Sequence, residues 1–436
     1  MYHSASIEWT EIGDYMFVPL LGYFLILLVS FCVVGKDALR RDRDWKCLAW
    51  GISLQILVVW AMMNVSSVVS FFECVANGIL VIRDATLEGT KFVFGFIGGE
   101  EPPFQILDGK SSFILAFQGL PTVILCGMLA AILTYLKVLP VLARIVGYPF
   151  RKIFKVKESI GMVAAARIFI GQLESPLLIK HELEFLKKSD IFIILTLAFA
   201  TSSAAVMPLY ASAIEAICPA AMKHIIMSSV ISVISALIVC SIISPSFKED
   251  EDLSSTPANS VPDSLTKPYG SFMGALSKGL SDGCFVWWCI VGSMIGMVAL
   301  IALVNHILDL LPNVYGNPLT LQSIFGFIMY PFAWLIGIQD ADLFAVSQVL
   351  GTKLAVNEIV AYFDLAKSEV SQDSVIKAIY AITNFGNFSC IGVTVGGMAA
   401  IAPSQKCIPA LIGKAFIAGL LATGLSASIV GVFLSF

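Results

Sequence analysis

Eight stretches of the chain stay apolar for roughly the thickness of a bilayer: 18–34, 48–70, 113–135, 190–211, 222–244, 285–306, 376–402 and 409–435. A spanning helix needs about 20 mostly apolar residues, so each is expected to cross a membrane. Three further stretches, 158–180, 319–338 and 341–363, are apolar but interrupted by polar residues. Across 72–98, apolar and charged positions mix at helical spacing, which predicts a helix lying along the outer interface. The segment 138–157 is amphipathic and basic and suits the cytoplasmic surface. The segment 246–268 is polar, acidic and rich in Pro and Ser, the composition of a flexible cytoplasmic loop.

Composition agrees with this pattern. Hydrophobic residues make up 58% of the 436 and charged ones 13%, against about 25% charged in soluble domains. The chain is therefore expected to be an all-α integral membrane protein. Residues 1–17 hold no Lys or Arg, so the basic start of a cleavable signal peptide is missing. The connection 36–46 holds five Lys or Arg. By the positive-inside rule it is cytoplasmic, which puts the N-terminus and, after eight crossings, the C-terminus outside. A net charge of −4 gives no case for nucleic acid. The ten cysteines sit mostly in apolar runs, without CxxC or Cys/His spacing, and read as small buried hydrophobes. No cofactor or metal is expected, and no enzyme: there is no nucleophile elbow, cofactor motif or soluble catalytic domain.

Two of the interrupted stretches hide carboxylates. "IFIGQLESPLLIK" places Gln172 and Glu174 one position apart, and "GTKLAVNEIVAYFDL" places Asn357 beside Glu358. Each follows a "YPF" triplet, at 148–150 and 330–332. Each precedes an apolar span with a polar centre, "FATSSAAVMPLY" (199–210) and "NFGNFSCIGVTVGG" (384–397). By the charge bias, 158–180 opens from the cytoplasm and 341–363 from outside, an inverted repeat of the kind secondary transporters use. A lipid-facing Glu costs several kcal/mol. Irregular backbone at membrane depth is tolerated only where it lines a protein or water-filled cavity. Two re-entrant hairpins meeting near the midplane would gather Gln172, Glu174, Asn357 and Glu358 into one polar pocket. The expected divisions are 1–110 (scaffold helices and outer interfacial helix), 111–245 (first repeat), 246–284 (cytoplasmic linker and interfacial helix) and 285–436 (second repeat).

"GQLESPLLIK", "GTKLAVNEIVAYFDL" and "NFGNFSCIGVTVGGMAAIAP" resemble the concentrative nucleoside transporters, a likeness that runs from about 18 to 436. The resemblance implies a homotrimer in a bacterial inner membrane. Each protomer would have a scaffold domain, an elevator-like transport domain, eight transmembrane helices, two re-entrant hairpins and three interfacial helices. It further implies a nucleoside site in which Gln172 and Glu174 bind the base and Val206 packs on it. Glu358, with Asn357 beside it, would bind the ribose, and Phe385, Asn387 and Cys390 would surround base and sugar. The family's Ser at 390 is Cys in this chain, and its Thr between Gln172 and Glu174 is Leu173. Such side chains suit a nucleoside, since an amide and a carboxylate can pair a base edge, and a carboxylate accepts charge-assisted bonds from two sugar hydroxyls.

In sodium-coupled members of that family, an Asn stands five residues before the hairpin Gln and gives the ion an oxygen. This chain has Arg167 there. The neighbouring ion-ligand positions are Ile170, Leu173, Thr201 and Ser202. A hard cation needs oxygen ligands, whereas an Arg offers five donors and no acceptor. The expectation is a degenerate cation site: sodium is disfavoured, and coupling is to protons or to no ion. Arg167 would pair with Glu174 or a helix C-terminus, or would be a cytoplasmic-side anchor. Lys353 reads as a hairpin-tip or snorkelling residue. The alternative function is a same-scaffold carrier of nucleobases, nucleotides or another small polar solute.

Overall fold

The computed structural model describes residues 9–34, 44–105, 112–172, 174–243, 270–312 and 318–435. All regular structure there is helical. In chain order the helices are α1 (Trp9–Val34), α2 (Trp45–Asn64), α3 (Ser66–Phe94), α4 (Thr122–Tyr135), α5 (Val138–Phe154) and α6 (Glu158–Ala166). They continue with α7 (Glu174–Leu177), α8 (Lys180–Leu183), α9 (Lys188–Ala200), α10 (Met207–Ile214), α11 (Ala221–Ile243) and α12 (Phe272–Leu308). The last six are α13 (Leu321–Leu335), α14 (Asp340–Ala355), α15 (Glu358–Lys367), α16 (Gln372–Ile382), α17 (Phe388–Ile401) and α18 (Ile408–Leu434). The expected loop at 246–268 lies outside the described residues, as does Leu173.

Among the described residues, seven segments, built on α1, α2, α3, α4, α11, α12 and α18, are long and apolar enough to cross a membrane. Two other expected spans, 190–211 and 376–402, are each built of two helices: α9 and α10 part at 201–206, and α16 and α17 part at 383–387. The breaks fall where the sequence turns polar, at Thr201–Ser203 and Thr383–Asn387. Three boundaries differ from the sequence reading. The expected span 48–70 stops at Asn64, because Val65 takes an extended conformation (φ −91°, ψ 107°). The interfacial candidate 72–98 starts earlier, at Ser66, and is a 29-residue helix long enough to span. Residues 272–284, expected within the 246–284 linker and interfacial helix, run unbroken into α12. At 1.5 Å per residue its 37 residues reach about 55 Å, well beyond the hydrocarbon core.

Helices α11 and α18 form the centre. Of their apolar windows 89% and 72% is buried, against 11% for α3 and 6% for α12. A buried polar chain ties α1, α2 and α11 together. Tyr23 Oη donates to Gln55 Oε1 at 2.9 Å, and Gln55 Nε2 donates to Ser235 Oγ at 2.8 Å. With no water to serve those groups, such interhelical bonds glue the bundle.

Close crossings occur at glycines. Helix α12 crosses α4 where Gly127 faces Gly279 and Gly283. Helix α5 crosses α6 at Gly147 and Gly161, and α13 crosses α14 at Gly326 and Gly351. Thus both "YPF" helices, α5 and α13, lie backbone to backbone against the helix that follows. A Cβ on Gly147 would stand 2.6 Å from the Gly161 carbonyl oxygen. Gly161→Leu is expected to lower the detergent-solubilised Tm by several degrees, since overpacking costs about 1–3 kcal/mol. Gly78→Ala on α3, where nothing lies within 4 Å, is expected to leave Tm unchanged or slightly raised; a scanning calorimeter or fluorescence melt compares the two.

Candidate functional site

The site begins with the unfinished end of α9. The last four carbonyls of a helix have no partner within it, and at membrane depth water cannot serve them. Its own C-cap Thr201 and side chains from two other segments, Arg167 and Asn384, supply the donors. Thr201 Oγ1 donates to Leu197 O at 2.7 Å. Arg167 Nη2 donates to Leu197 O at 3.5 Å and Ala198 O at 3.3 Å, while its Nη1 donates to Ile170 O at 3.3 Å. Asn384 Nδ2 donates to Ala200 O at 2.9 Å and to Ser232 Oγ at 3.1 Å. The Phe385 amide then donates to Thr201 O at 3.2 Å. The two broken spans are thereby joined at their breaks.

Arg167 is 1% exposed, so it is no cytoplasmic-side anchor. Between its two expected partners the structure chooses the helix C-terminus: a cation there is favoured by the peptide dipoles, and no Arg167–Glu174 ion pair forms among the described residues. Glu174 starts α7 and folds its carboxylate back over Gly171, where a Cβ would collide with it. Gln172 accepts at Oε1 from Thr394 Oγ1 of α17 at 3.4 Å. Ile170 contributes its carbonyl to Arg167, and the buried Ser202 Oγ finds no partner among the described residues.

The second carboxylate is more tightly held. Glu358 is the first residue of α15, which favours an anion, and it is 4% exposed. Its Oε1 accepts from Tyr210 Oη at 2.9 Å and its Oε2 from Asn387 Nδ2 at 2.7 Å. Asn387 caps α17: its Oδ1 accepts from Cys390 N at 2.9 Å and Ser389 Oγ at 2.6 Å. Asn357 does the same for α15, accepting from Val360 N at 3.0 Å. Val206 is buried just ahead of α10, with its carbonyl accepting from Tyr210 N at 3.3 Å. Phe385 and Cys390 are each 9% exposed.

Helix α17 therefore carries a contact to each carboxylate-bearing segment, Asn387 to Glu358 and Thr394 to Gln172. Seven residues of helix separate these contacts, about 10 Å. Lys353 corrects the sequence reading. It is 2% exposed and does not snorkel. Its ammonium lies against Gly386, where a Cβ would stand 3.3 Å from Nζ, and it forms no hydrogen bond or ion pair among the described residues. The sequence reading also passed over Tyr210, Asn384 and Thr394. All three sat inside the quoted polar-centred spans, Tyr210 in 199–210 and Asn384 and Thr394 in 384–397.

A buried carboxylate at a helix break, Glu358, inside a multi-pass helical bundle points to a secondary transporter, while Glu174 is exposed. Residues 224–431 match the family model described as Na+ dependent nucleoside transporter C-terminus, and 21–97 match its N-terminus counterpart. Residues 116–217 match a third, described as Gate: Nucleoside recognition. An uncharacterized transporter of Haemophilus influenzae is 31% identical over 423 residues, covering 94% of this chain and 96% of that protein. Solute carrier family 28 member 3 of Mus musculus is 28% identical, over 98% of this chain and 60% of its own length. Sodium/nucleoside cotransporter 2 of Rattus norvegicus is 25% identical, over 95% and 62%. The solved structure of CNTnw in an inward-facing substrate-bound state shares the fold, with a TM-score of 0.84 at 24% identity over 96% of this chain and 98% of that one. The chain belongs to the concentrative nucleoside transporter family; it is a carrier and not an enzyme.

Asn384→Leu removes the donor that serves the Ala200 carbonyl and strands a buried acceptor, a loss of about 1–3 kcal/mol. The expected outcome is a lower Tm with retained membrane insertion, read by fluorescence-detected size exclusion after a heat challenge.

Proposed function

We propose that this protein imports nucleosides across a bacterial inner membrane, N- and C-termini outside, without a sodium ion. The observation that carries the reading is Glu358, a buried carboxylate at the break between α14 and α15, held by Tyr210 of α10 and by Asn387 from the break between α16 and α17. An uncharged solute with two adjacent hydroxyls is what such an acceptor recognises. Gln172 and Glu174 would then read the base, with Val206 and Phe385 packed on it and Cys390 near the sugar. The helix pairs around 158–180 and 341–363 act as re-entrant hairpins of a moving domain in each protomer of a homotrimer. Support for an elevator-type movement comes from CNTnw, solved in inward-facing, intermediate and outward-facing states on the same fold. Helix α12 leaves an apolar face uncovered by its own chain, including Phe285, Trp288 and Ile295, which partner protomers and lipid would cover.

The sodium-free part rests on Arg167. Its guanidinium occupies the carbonyls of Ile170 and the α9 end, next to Thr201 and Ser202, where the resemblance places a cation. Coupling is then to protons or to no ion.

Two measurements test this. Labelled uridine or adenosine uptake, challenged with nucleobases and nucleotides, is expected to be blocked by nucleosides alone; block by nucleobases or nucleotides favours the other cargo. Glu358→Ala is expected to raise the KM for uridine by about 10–100-fold, the worth of one or two hydrogen bonds to a charged group. Separately, replacing sodium with choline at fixed pH and voltage should leave wild-type uptake unchanged, whereas Arg167→Asn combined with Leu173→Thr, which restores oxygen ligands, should become sodium-stimulated. A sodium-dependent wild-type rate ends the sodium-free reading.

A further inference from the structure

We propose that a groove between the ends of α2, α11 and α18 binds a zwitterionic phospholipid, with its phosphate at Lys223 and its acyl chain against Met63 and Met227. The site does not depend on which cargo the carrier moves, and it shares no residue with the site described above.

The cavity measures about 640 Å³, the size of a ligand pocket. It lies where three spanning helices reach one face of the bundle: α2 ends at Asn64, α11 begins at Ala221 and α18 ends at Leu434. That is the level of lipid headgroups and not of the bilayer centre. Its walls are Met62, Met63, Met227, Phe433 and Leu434. Met62 and Met227 are buried, and the other three are half-buried. Methionine side chains adapt their shape to a flexible apolar ligand. Trp60 also lines the groove and is 48% exposed; an indole near a helix end marks the membrane interface.

The hydrophilic side chains sit at the rim. Asn64 is the last residue of α2, and Lys223 and His224 belong to the first turn of α11. Trp60 and Met227 are each four residues further along their helices into the membrane, about 6 Å deeper. An amphiphile carries the same gradient from polar head to apolar tail. Lys223 Nζ lies 3.2 Å from Glu73 Oε1 of α3, so a cation and an anion stand side by side at the rim. An ammonium has three donors, and Glu73 takes one of them. The positive end of the α11 dipole adds to the pull on a phosphate. The Glu73 carboxylate is 51% exposed and suits a headgroup ammonium, whereas a purely anionic headgroup would meet it as a like charge. The wall behind is fixed: His224 Nδ1 lies 3.1 Å from Tyr380 Oη, which also lies 4.0 Å from Met227 Sδ. Tyr380 belongs to α16 and is fully buried. His224 Nε2 forms no hydrogen bond among the described residues, which leaves it for a lipid oxygen.

The experiment strips the full chain of lipid in detergent and adds back phosphatidylethanolamine, phosphatidylglycerol or the chain-free glycerophosphoethanolamine. Native mass spectrometry counts the lipid kept on each protein chain, and a melting curve reads the stabilisation that binding confers. Wild type is expected to keep one phosphatidylethanolamine and to melt several degrees higher with it. Lys223→Ala should weaken that retention about tenfold, the worth of one hydrogen bond between charged groups. Met63→Trp fills the groove from a half-buried position and should abolish it. Glu73→Ala should erase the preference over phosphatidylglycerol. Each variant is first checked for a lipid-free melting temperature close to that of wild type. Retention that is the same in wild type, Lys223→Ala and Met63→Trp belongs to the general lipid belt and overturns the proposal. Equal or tighter binding of phosphatidylglycerol by wild type overturns it too, as does an equal response to glycerophosphoethanolamine alone. Wild type that keeps no lipid ends it outright.

Discussion

Everything near the site follows from one constraint: a helix that stops inside a membrane must hand its free carbonyls and amides to other protein groups. Helix α9 stops at Ala200, and its last carbonyls meet Arg167, Thr201 and Asn384. Helix α17 starts at Phe388, and Asn387 accepts from its first amides. These two breaks are bonded to each other through Phe385 and Thr201. Polar residues that would be a liability in lipid are thus the means by which two broken spans are joined.

The sequence made much of this legible. The polar centres at 199–210 and 384–397 marked both breaks, and the amide–carboxylate pairs at Gln172/Glu174 and Asn357/Glu358 marked the segments packed beside them. Apolar run length found most spans, because bilayer thickness is a strong ruler. It failed at Val65, where a single extended residue separates two apolar helices without any Gly or Pro to announce it. Residues 272–284, expected within the linker and interfacial helix of 246–284, are helical and continuous with α12, and Gly279 and Gly283 let that helix approach α4. Tyr210 was invisible for a different reason. An aromatic at the end of an apolar run is the default core residue, and only its partner, 148 positions away, gives it a role.

Burial also changed the meaning of the basic residues. Long cationic side chains near helix ends usually reach back to the interface. Arg167 and Lys353 do not: both are almost wholly buried, each near the end of the helix that leads into a carboxylate. Arg167 is tolerated because it works as a helix cap, with its charge against the negative end of α9. Lys353 lies against the glycine between Phe385 and Asn387, where a larger residue would collide with it.

Each segment places a buried cation ahead of a carboxylate, Arg167 before Glu174 and Lys353 before Glu358. The position of Arg167 on the carbonyls of Ile170, Leu197 and Ala198 satisfies backbone that lipid cannot, and under the proposed function the same contacts take the place of a sodium ion.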